Sequence, residues 1–297
     1  MKIAVAGSSG FIGTELVGRL EDGGHDVLRL VRRAARTTGE VSWDPAAGKL
    51  DHEQLTGVEA AVNLAGAGVG DHRWTASYKQ KIIASRVETT RTLATALAKV
   101  NPLPRAFVVG SAVGYYGDRG DEVITDESAA GQGFLTEVVV AWEEAAQTAA
   151  RAGIRVAHAR TGIVLGPGGG ALARVLPLAK VGLAGRLGSG KQWWPWITLA
   201  DEVAAMIHLL TADVDGAVNL TAPEPARQAD VARAIGVALG RPRQMPAPAF
   251  GLRLVLGGLA GDVLSSCRAR PERLLASGFV FGHPEIGEAV KWVIDSR

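Results

Sequence analysis

The chain has 297 residues, 47% of them hydrophobic and 21% charged, with Lys and Arg outnumbering Asp and Glu by 32 to 30. That composition belongs to a folded globular protein, and a net charge of +2 with scattered arginines excludes the sustained basic stripe of a nucleic-acid binder. A single cysteine, Cys267, excludes an internal disulfide, fits a reducing cytoplasm and is read as an inert thiol.

In chain order, KIAVAG (2–7) is a strand ending in glycine and FIGTELVGRLEDGG (11–24) a helix with a Gly-Gly stop. DVLRLV (26–31) is a second strand and EAAVNLAG (59–66) a third or fourth. A long helix covers 77–99, RAFVVGSA (105–112) is a strand, and a helix spans about 134–152. In its opening stretch, GFLTEVVVAWEEA, Phe134, Val138 and Trp142 recur at helical spacing, with Glu143 and Glu144 turned outward. GIRVAHART (153–161) is again a strand. GIVLGPGGGALA (162–173) breaks the regularity with a loop or turn near 166–170, and VDGAVNLTAP (214–223) returns to the sheet. From about 222 a Pro- and Ala-rich tail carries two or three helices. Residues 250–264 form its most apolar tract; Arg253 and Asp262 interrupt it, so it is too short to cross a membrane and reads as a core or interface helix. The chain opens without a basic segment followed by a long apolar one, so no leader peptide is expected.

Strands alternating with helices call for an α/β fold: a Rossmann-type, doubly wound parallel sheet over residues 1–165, completed by a returning strand near 215–222. A smaller, partly interleaved region covers 166–297, its helical tail running from about 245 to 297. The first strand-to-helix junction carries Gly7-Ser8-Ser9-Gly10-Phe11-Ile12-Gly13. There the glycines allow a tight turn, close approach of a pyrophosphate and helix-on-strand packing, while the helix N-terminus offers free N–H groups to phosphate. Gly7, Ser9, Gly10, Phe11, Ile12 and Gly13 are therefore cofactor-binding candidates. The second strand ends at Val31-Arg32-Arg33, with Arg36 nearby. An acid there suits the ribose of NAD, whereas Arg32 suits the 2′-phosphate, so NADP(H) is the expected cofactor.

GSSGFIG (7–13) and NLAG (63–66) resemble the short-chain dehydrogenase/reductase superfamily in its extended, epimerase-like form. HRWTASYKQKIIASRVETT, GSAVGYYGD, RTGIVLGPGGGAL and GSGKQWWPWI, followed by RARPERLLASGFVF, resemble the atypical "epimerase family" proteins, which end in a small C-terminal domain of unknown role. Some members carry a cell-division-inhibitor label that these residues do not explain. The resemblance implies that Gly7, Gly10, Ile12, Gly13, Arg32, Leu64, Ala65 and Gly66 line the cofactor. It also implies an acid: a tyrosine with a lysine one helical turn later, in Y-x-x-x-K spacing. The chain has three tyrosines; four residues on from Tyr78, Tyr115 and Tyr116 stand Ile82, Arg119 and Gly120. The pair is absent. On the helix from 134 the matching face holds Phe134 or Leu135, then Val138 or Val139, and Glu137 reads as solvated.

Ser111, at the end of its strand, is expected near the nicotinamide, although the superfamily pattern also aligns its serine with Ala112. Tyr115 and Tyr116 are the remaining proton-donor candidates, with pocket closure as the alternative. Lys79 and Arg86, seven apart on one helix beside Lys81, are candidates to clamp an anionic substrate, as is Arg160. Lys191, Gln192 and Trp194, in a run that also holds Trp193 and Trp196, offer aromatic walls and polar anchors for a small ligand, or hinge packing. The histidine usual in relatives is Thr198 here. No histidine spacing suggests a metal and no G-x-S-x-G elbow appears. Two readings stay open: an NADP(H)-dependent oxidoreductase or epimerase-like enzyme of atypical mechanism acting on an unknown small molecule, and a non-catalytic NADP(H)-binding regulator or sensor. We expect a cytoplasmic protein with no nucleic-acid or membrane partner, whose two long helices either form a homodimer interface or are capped by the apolar tail.

Overall fold

A computed structural model describes residues 1–182, 184–241 and 245–296. β1 (Lys2–Ala6) leads into α1 (Phe11–Asp22), followed by β2 (Asp26–Val31), the short β3 (Glu40–Ser42) and β4 (Ala60–Asn63). α1 buries Gly13, Leu16, Val17 and Leu20, a stripe at helical spacing. α2 (Ala76–Leu97) is capped by Thr75, whose side-chain oxygen accepts from the Tyr78 amide. Next come β5 (Ala106–Ala112), a 3₁₀ turn at Val113–Tyr116, β6 (Val123–Ile124), α3 (Phe134–Glu144), α4 (Gln147–Arg151) and β7 (Arg155–Thr161). β8 (Ile163–Gly166), α5 (Gly170–Lys180), β9 (Trp193–Trp194), β10 (Trp196–Thr198) and α6 (Leu199–Thr211) precede β11 (Gly216–Leu220). The remainder is β12 (Ala226–Arg227), α7 (Gln228–Ala238), α8 (Ala249–Leu256), α9 (Leu259–Leu264), β13 (Arg268–Ala269), α10 (Glu272–Ala276) and α11 (Ile286–Asp295).

Seven strands form one sheet in the order β11-β7-β5-β4-β1-β2-β3, every pairing parallel. Strand order reverses at β1, so the crevice beyond the carboxyl ends of β1 and β4 is where such a sheet takes a ligand. Side chains alternate between two apolar layers. Ile3, Val5, Val62 and Val108 meet Leu16, Val17, Val203 and Met206, whereas Ala4, Ala6, Phe107 and Val109 meet Leu93, Leu97, Trp142 and Ala149. A third core of Leu172, Leu176, Trp196, Val231, Ile235, Val290 and Val293 joins α5, β10, α7 and α11. The chain thus carries the doubly wound parallel α/β sheet that its alternation of strands and helices implies.

The details depart from the sequence reading in four places. The helix from 134 to 152 divides at Ala145–Ala146, where i→i+3 hydrogen bonds tighten the backbone and Ala145, Ala146 and Ala149 are buried. Glu143 points inward, not outward. β3 and the two-residue ladders β9–β12 and β6–β13 were too short to signal themselves. Among the described residues the tail beyond 222 holds five helices, and the apolar tract 250–264 splits into α8 and α9, with Phe250, Leu254 and Val255 exposed. No helix among the described residues is long and apolar enough to cross a membrane.

Candidate functional site

The Gly7–Gly13 loop is built as a cradle. Gly7 has φ +81°, and a Cβ there would lie 2.6 Å from the Leu64 carbonyl carbon. A Cβ on Gly13 would collide with the Gly7 carbonyl oxygen, so these two positions admit only glycine. α1 begins after an extended Gly10 with no side-chain cap, leaving its first N–H groups open toward the crevice. Gly7, Ser8, Ser9 and Gly10 line a cleft of about 1700 Å³ together with Arg32, Leu64, Ala65 and Gly66. Phe11 and Ile12 turn away from it and pack on the core under α1. The Phe11 ring lies so close to Gly166, Gly169 and Gly170 that no side chain would fit there, which gives GPGGG its physical reason.

At the cleft's outer lip, Arg33 holds Glu40 with two hydrogen bonds of 2.8 and 2.6 Å, and the Arg36 amide donates to the same carboxylate at 2.8 Å. The Arg33 bonds, then the Arg36 amide, bring the Glu40 carboxyl down to about 2. Arg32 lies exposed on the lip with no ion-pair or hydrogen-bond partner among the described residues. It is thus available to a phosphate, and the residues present fit a dinucleotide bearing one.

Beyond β5 the candidates part company. Ser111 is buried, and its hydroxyl donates to Glu143 Oε1 at 2.6 Å instead of facing the cleft. Glu143 also receives Arg160 Nε at 2.8 Å and Arg160 Nη2 at 2.9 Å. Burial raises the Glu143 carboxyl, but the Arg160 bonds, with help from His158 and Ser111, outweigh it and leave the group below its usual range. Arg160 therefore forms a buried, hydrogen-bonded ion pair and is committed within the protein. Its Nη1 donates at 2.9 Å to the Tyr116 hydroxyl, which itself donates to Asn219 Oδ1 at 2.7 Å. Tyr116 is fully buried, and burial pushes its phenol up to about 12, so it has neither the access nor the acidity of a proton donor. Tyr115 is different: it is half-buried, the Arg160 guanidinium sits 3.5 Å from its ring centroid, and its hydroxyl has no hydrogen-bond partner among the described residues.

The face where the missing pair would stand is apolar. Val138 and Phe134 pack with Tyr78, Ile82, Val69 and Trp74, while Leu135 packs on Gly114. Glu137 is exposed. From α2, Lys79 places its Nζ 4.7 Å from the Phe134 ring centroid. Arg86 is half-buried: its Nη1 donates to the carbonyls of Ala67 at 2.9 Å and Ile82 at 3.1 Å, and its guanidinium lies 5.0 Å from the Trp142 ring centroid. Burial lowers its pKa to about 10, so it stays charged at neutral pH.

The tryptophan run stitches the C-terminal region to the sheet domain. Trp193 lies 3.9 Å from Arg227 and 4.6 Å from Arg268 and donates to Asp121 at 2.9 Å; Trp194 donates to the Val263 carbonyl at 3.3 Å. Trp196 is buried in the C-terminal core. Gln192 is buried and donates to the Leu187 carbonyl at 3.0 Å, while Lys191 is exposed. Thr198 caps α6, accepting from the Asp201 amide at 3.0 Å. Cys267 is buried, and burial raises its thiol to about 12. Among the described residues no group of three or more His, Cys, Asp and Glu side chains is placed to hold a metal. Sequence reasoning missed Glu202, which lies fully buried in the apolar layer under α6. Its Oε1 accepts from Thr161 at 2.6 Å, its Oε2 has no hydrogen-bond partner among the described residues, and burial raises its carboxyl to about 8.

A glycine cradle at the carboxyl ends of β1 and β4, under a parallel seven-stranded sheet, defines a dinucleotide-binding α/β protein of the extended dehydrogenase kind. Within that class the chain belongs to the NAD dependent epimerase/dehydratase family, whose model matches residues 3–221, and a domain of unknown function (DUF1731) follows at 247–293. It is 42% identical over 290 residues to Epimerase family protein Mb2239 of Mycobacterium bovis, covering 97% of this chain and 96% of that one. It is 36% identical over 299 residues to human Epimerase family protein SDR39U1, covering 99% and 100% of the two chains. The crystal structure of human SDR39U1 (isoform2) with NADPH superposes with a TM-score of 0.91 at 34% identity over the whole of both chains.

Proposed function

We propose that this chain binds NADP(H) in the cleft between the Gly7–Gly13 loop, Arg32 and the Leu64–Ala65–Gly66 segment, and acts as an atypical oxidoreductase or epimerase-like enzyme on a small carbonyl or sugar-like substrate. The carrying observation is the cradle with its unpaired Arg32, a combination suited to a 2′-phosphorylated dinucleotide; that human SDR39U1 was crystallised with NADPH supports it. When bound, the nicotinamide supplies hydride chemistry; the chain's own residues bind it, orient it and exclude water. Tyr115 is the proton donor the geometry favours, since its hydroxyl is unengaged and Arg160 lies against its ring. NADPH oxidation is to be measured against carbonyl compounds and nucleotide sugars. Turnover with at least one of them is expected, with Tyr115→Phe lowering kcat roughly 100-fold. No oxidation above background with any of them ends the enzyme reading.

A second reading, a non-catalytic NADP(H)-binding regulator, draws on a specific feature. Phe134 or Leu135, then Val138 or Val139, stand with packed hydrocarbon where the acid and its lysine are expected, and Ser111 is held by Glu143. It calls for unequal affinity for the two redox forms and a conformational change without turnover, because a ligand shifts only states it binds differently. Equal binding of NADPH and NADP⁺ counts against it.

A further inference from the structure

Arg86 presents a charged guanidinium to neutral hydrogen-bond partners. It has no ion-pair partner among the described residues, and its protein hydrogen bonds go to two neutral carbonyls. Withdrawing even part of a guanidinium from water without a countercharge is costly unless a ligand or a function uses the charge. Its position is fixed on three sides. Its side chain packs so closely on Gly66 that a Cβ there would lie 3.2 Å from Arg86 Cγ and Cζ. Its guanidinium lies over Trp142, whose ring in turn sits against Gly110 of β5. Ser85, the preceding residue, accepts from the Ala67 amide at 2.9 Å.

Sheet order says which half of a dinucleotide this is. Arg32 stands at the end of β2, on one side of the β1 glycine loop, and β4 and β5 lie on the other. With the phosphorylated ribose at Arg32 and the pyrophosphate at the loop, the nicotinamide half runs over the ends of β4 and β5, the region that Gly66 and Ala67 line, with Arg86 packed directly against Gly66 and bonded to the Ala67 carbonyl. One turn before Trp142 on α3 stands Val138, which with Val139 is one of the two positions matching the lysine of the absent pair.

We propose that Arg86, delivered from α2 instead of α3, supplies the fixed positive charge at the nicotinamide end of the cleft, and that this charge makes the protein bind the neutral reduced ring in preference to the cationic oxidised one. The inference rests on the cofactor reading above and adds a residue and a redox preference to it. It serves either functional reading: an enzyme poised with reductant, or a regulator that reports the NADPH to NADP⁺ ratio. At an effective dielectric near 20, two unit charges on the order of 10 Å apart interact by an energy worth roughly tenfold in affinity, which sets the size of preference such a charge can impose.

The experiment is a titration of the full-length protein with NADPH and with NADP⁺ by calorimetry, for wild type and for Arg86→Lys, Arg86→Met and Ser85→Ala. Wild type is expected to favour NADPH by roughly tenfold, Arg86→Lys to keep that ratio, and Arg86→Met to bring it near one. Ser85→Ala loosens the same loop backbone without removing charge, so it is expected to weaken both forms alike. Wild type binding both forms equally, Arg86→Met keeping the ratio, or Ser85→Ala erasing it as fully would each overturn the inference. If Arg86→Met does not fold, the wild-type ratio and Arg86→Lys still decide. Failure of wild type to bind either form would instead remove the cofactor reading on which the inference stands.

Discussion

Glu143 on α3 and Arg160 on β7 meet in a two-bond ion pair buried beneath the end of the sheet, and Ser111 of β5 completes it from the neighbouring strand. The Ser111 hydroxyl is thus spent on the scaffold and does not face the cleft. The same Arg160 supports the Tyr115 ring and bonds the Tyr116 hydroxyl, so one guanidinium organises two candidate residues and, through Glu143, holds the carboxylate that takes up Ser111.

Glu143→Ala leaves Arg160 buried without its carboxylate and is expected to destabilise the protein by about 3–5 kcal/mol, read by urea denaturation. The Glu143 carboxyl is depressed in the folded state, so its contribution is full above its unfolded value near ~4.3 and fades as pH falls through the lower folded one. The variant's loss should therefore be large at pH 7 and shrink toward pH 3. A loss of under 1 kcal/mol at pH 7 would show the pair to be dispensable.

Glu202 works in the opposite sense. Its folded pKa is raised, so the folded state holds a proton that the unfolded chain has released above about pH 4.3. Stability is full below that pH and is lost as pH rises to about 8, at up to ~1.4 kcal/mol per pH unit. Glu202→Gln should match wild type in Tm near pH 4.5 and exceed it at pH 8. Parallel melting curves across that range would mean that Glu202 is not held neutral.

Gly13→Ala places a methyl against the Gly7 carbonyl oxygen and is expected to cost about 1–3 kcal/mol and to abolish measurable NADPH binding. Thermal melts with and without NADPH separate the two effects: wild type should gain Tm on adding cofactor and the variant should not.

Much of the sheet domain was readable because its strands are buried on both faces and appear as short apolar runs between turn glycines. The cleft was readable because close backbone approach leaves glycines in the sequence. What was hidden depends on partners distant along the chain. Glu143 looked solvated because a carboxylate beside Glu144 on a helix usually is, and only the fold brings Arg160, 17 residues away, onto it. Arg160, Tyr116 and Gln192 looked like site residues because polar groups near strand ends often are; each proves to be consumed by internal hydrogen bonds. Glu202 gave no periodic signal, since it follows Asp201 at the start of α6, where acids are commonplace. The tail was least legible because its helices are short and its apolar residues lie partly outside the core, so hydrophobic spacing did not mark their limits.

The measurement closest to the central claim is direct titration of the wild-type protein and Arg32→Ala with NADPH and with NADH, followed by nicotinamide fluorescence. The expected result is saturable NADPH binding, weaker NADH binding, and an Arg32→Ala protein that loses about 10–100-fold for NADPH while its affinity for NADH barely moves. Equal affinity of wild type for the two dinucleotides, or no binding of either, would contradict it.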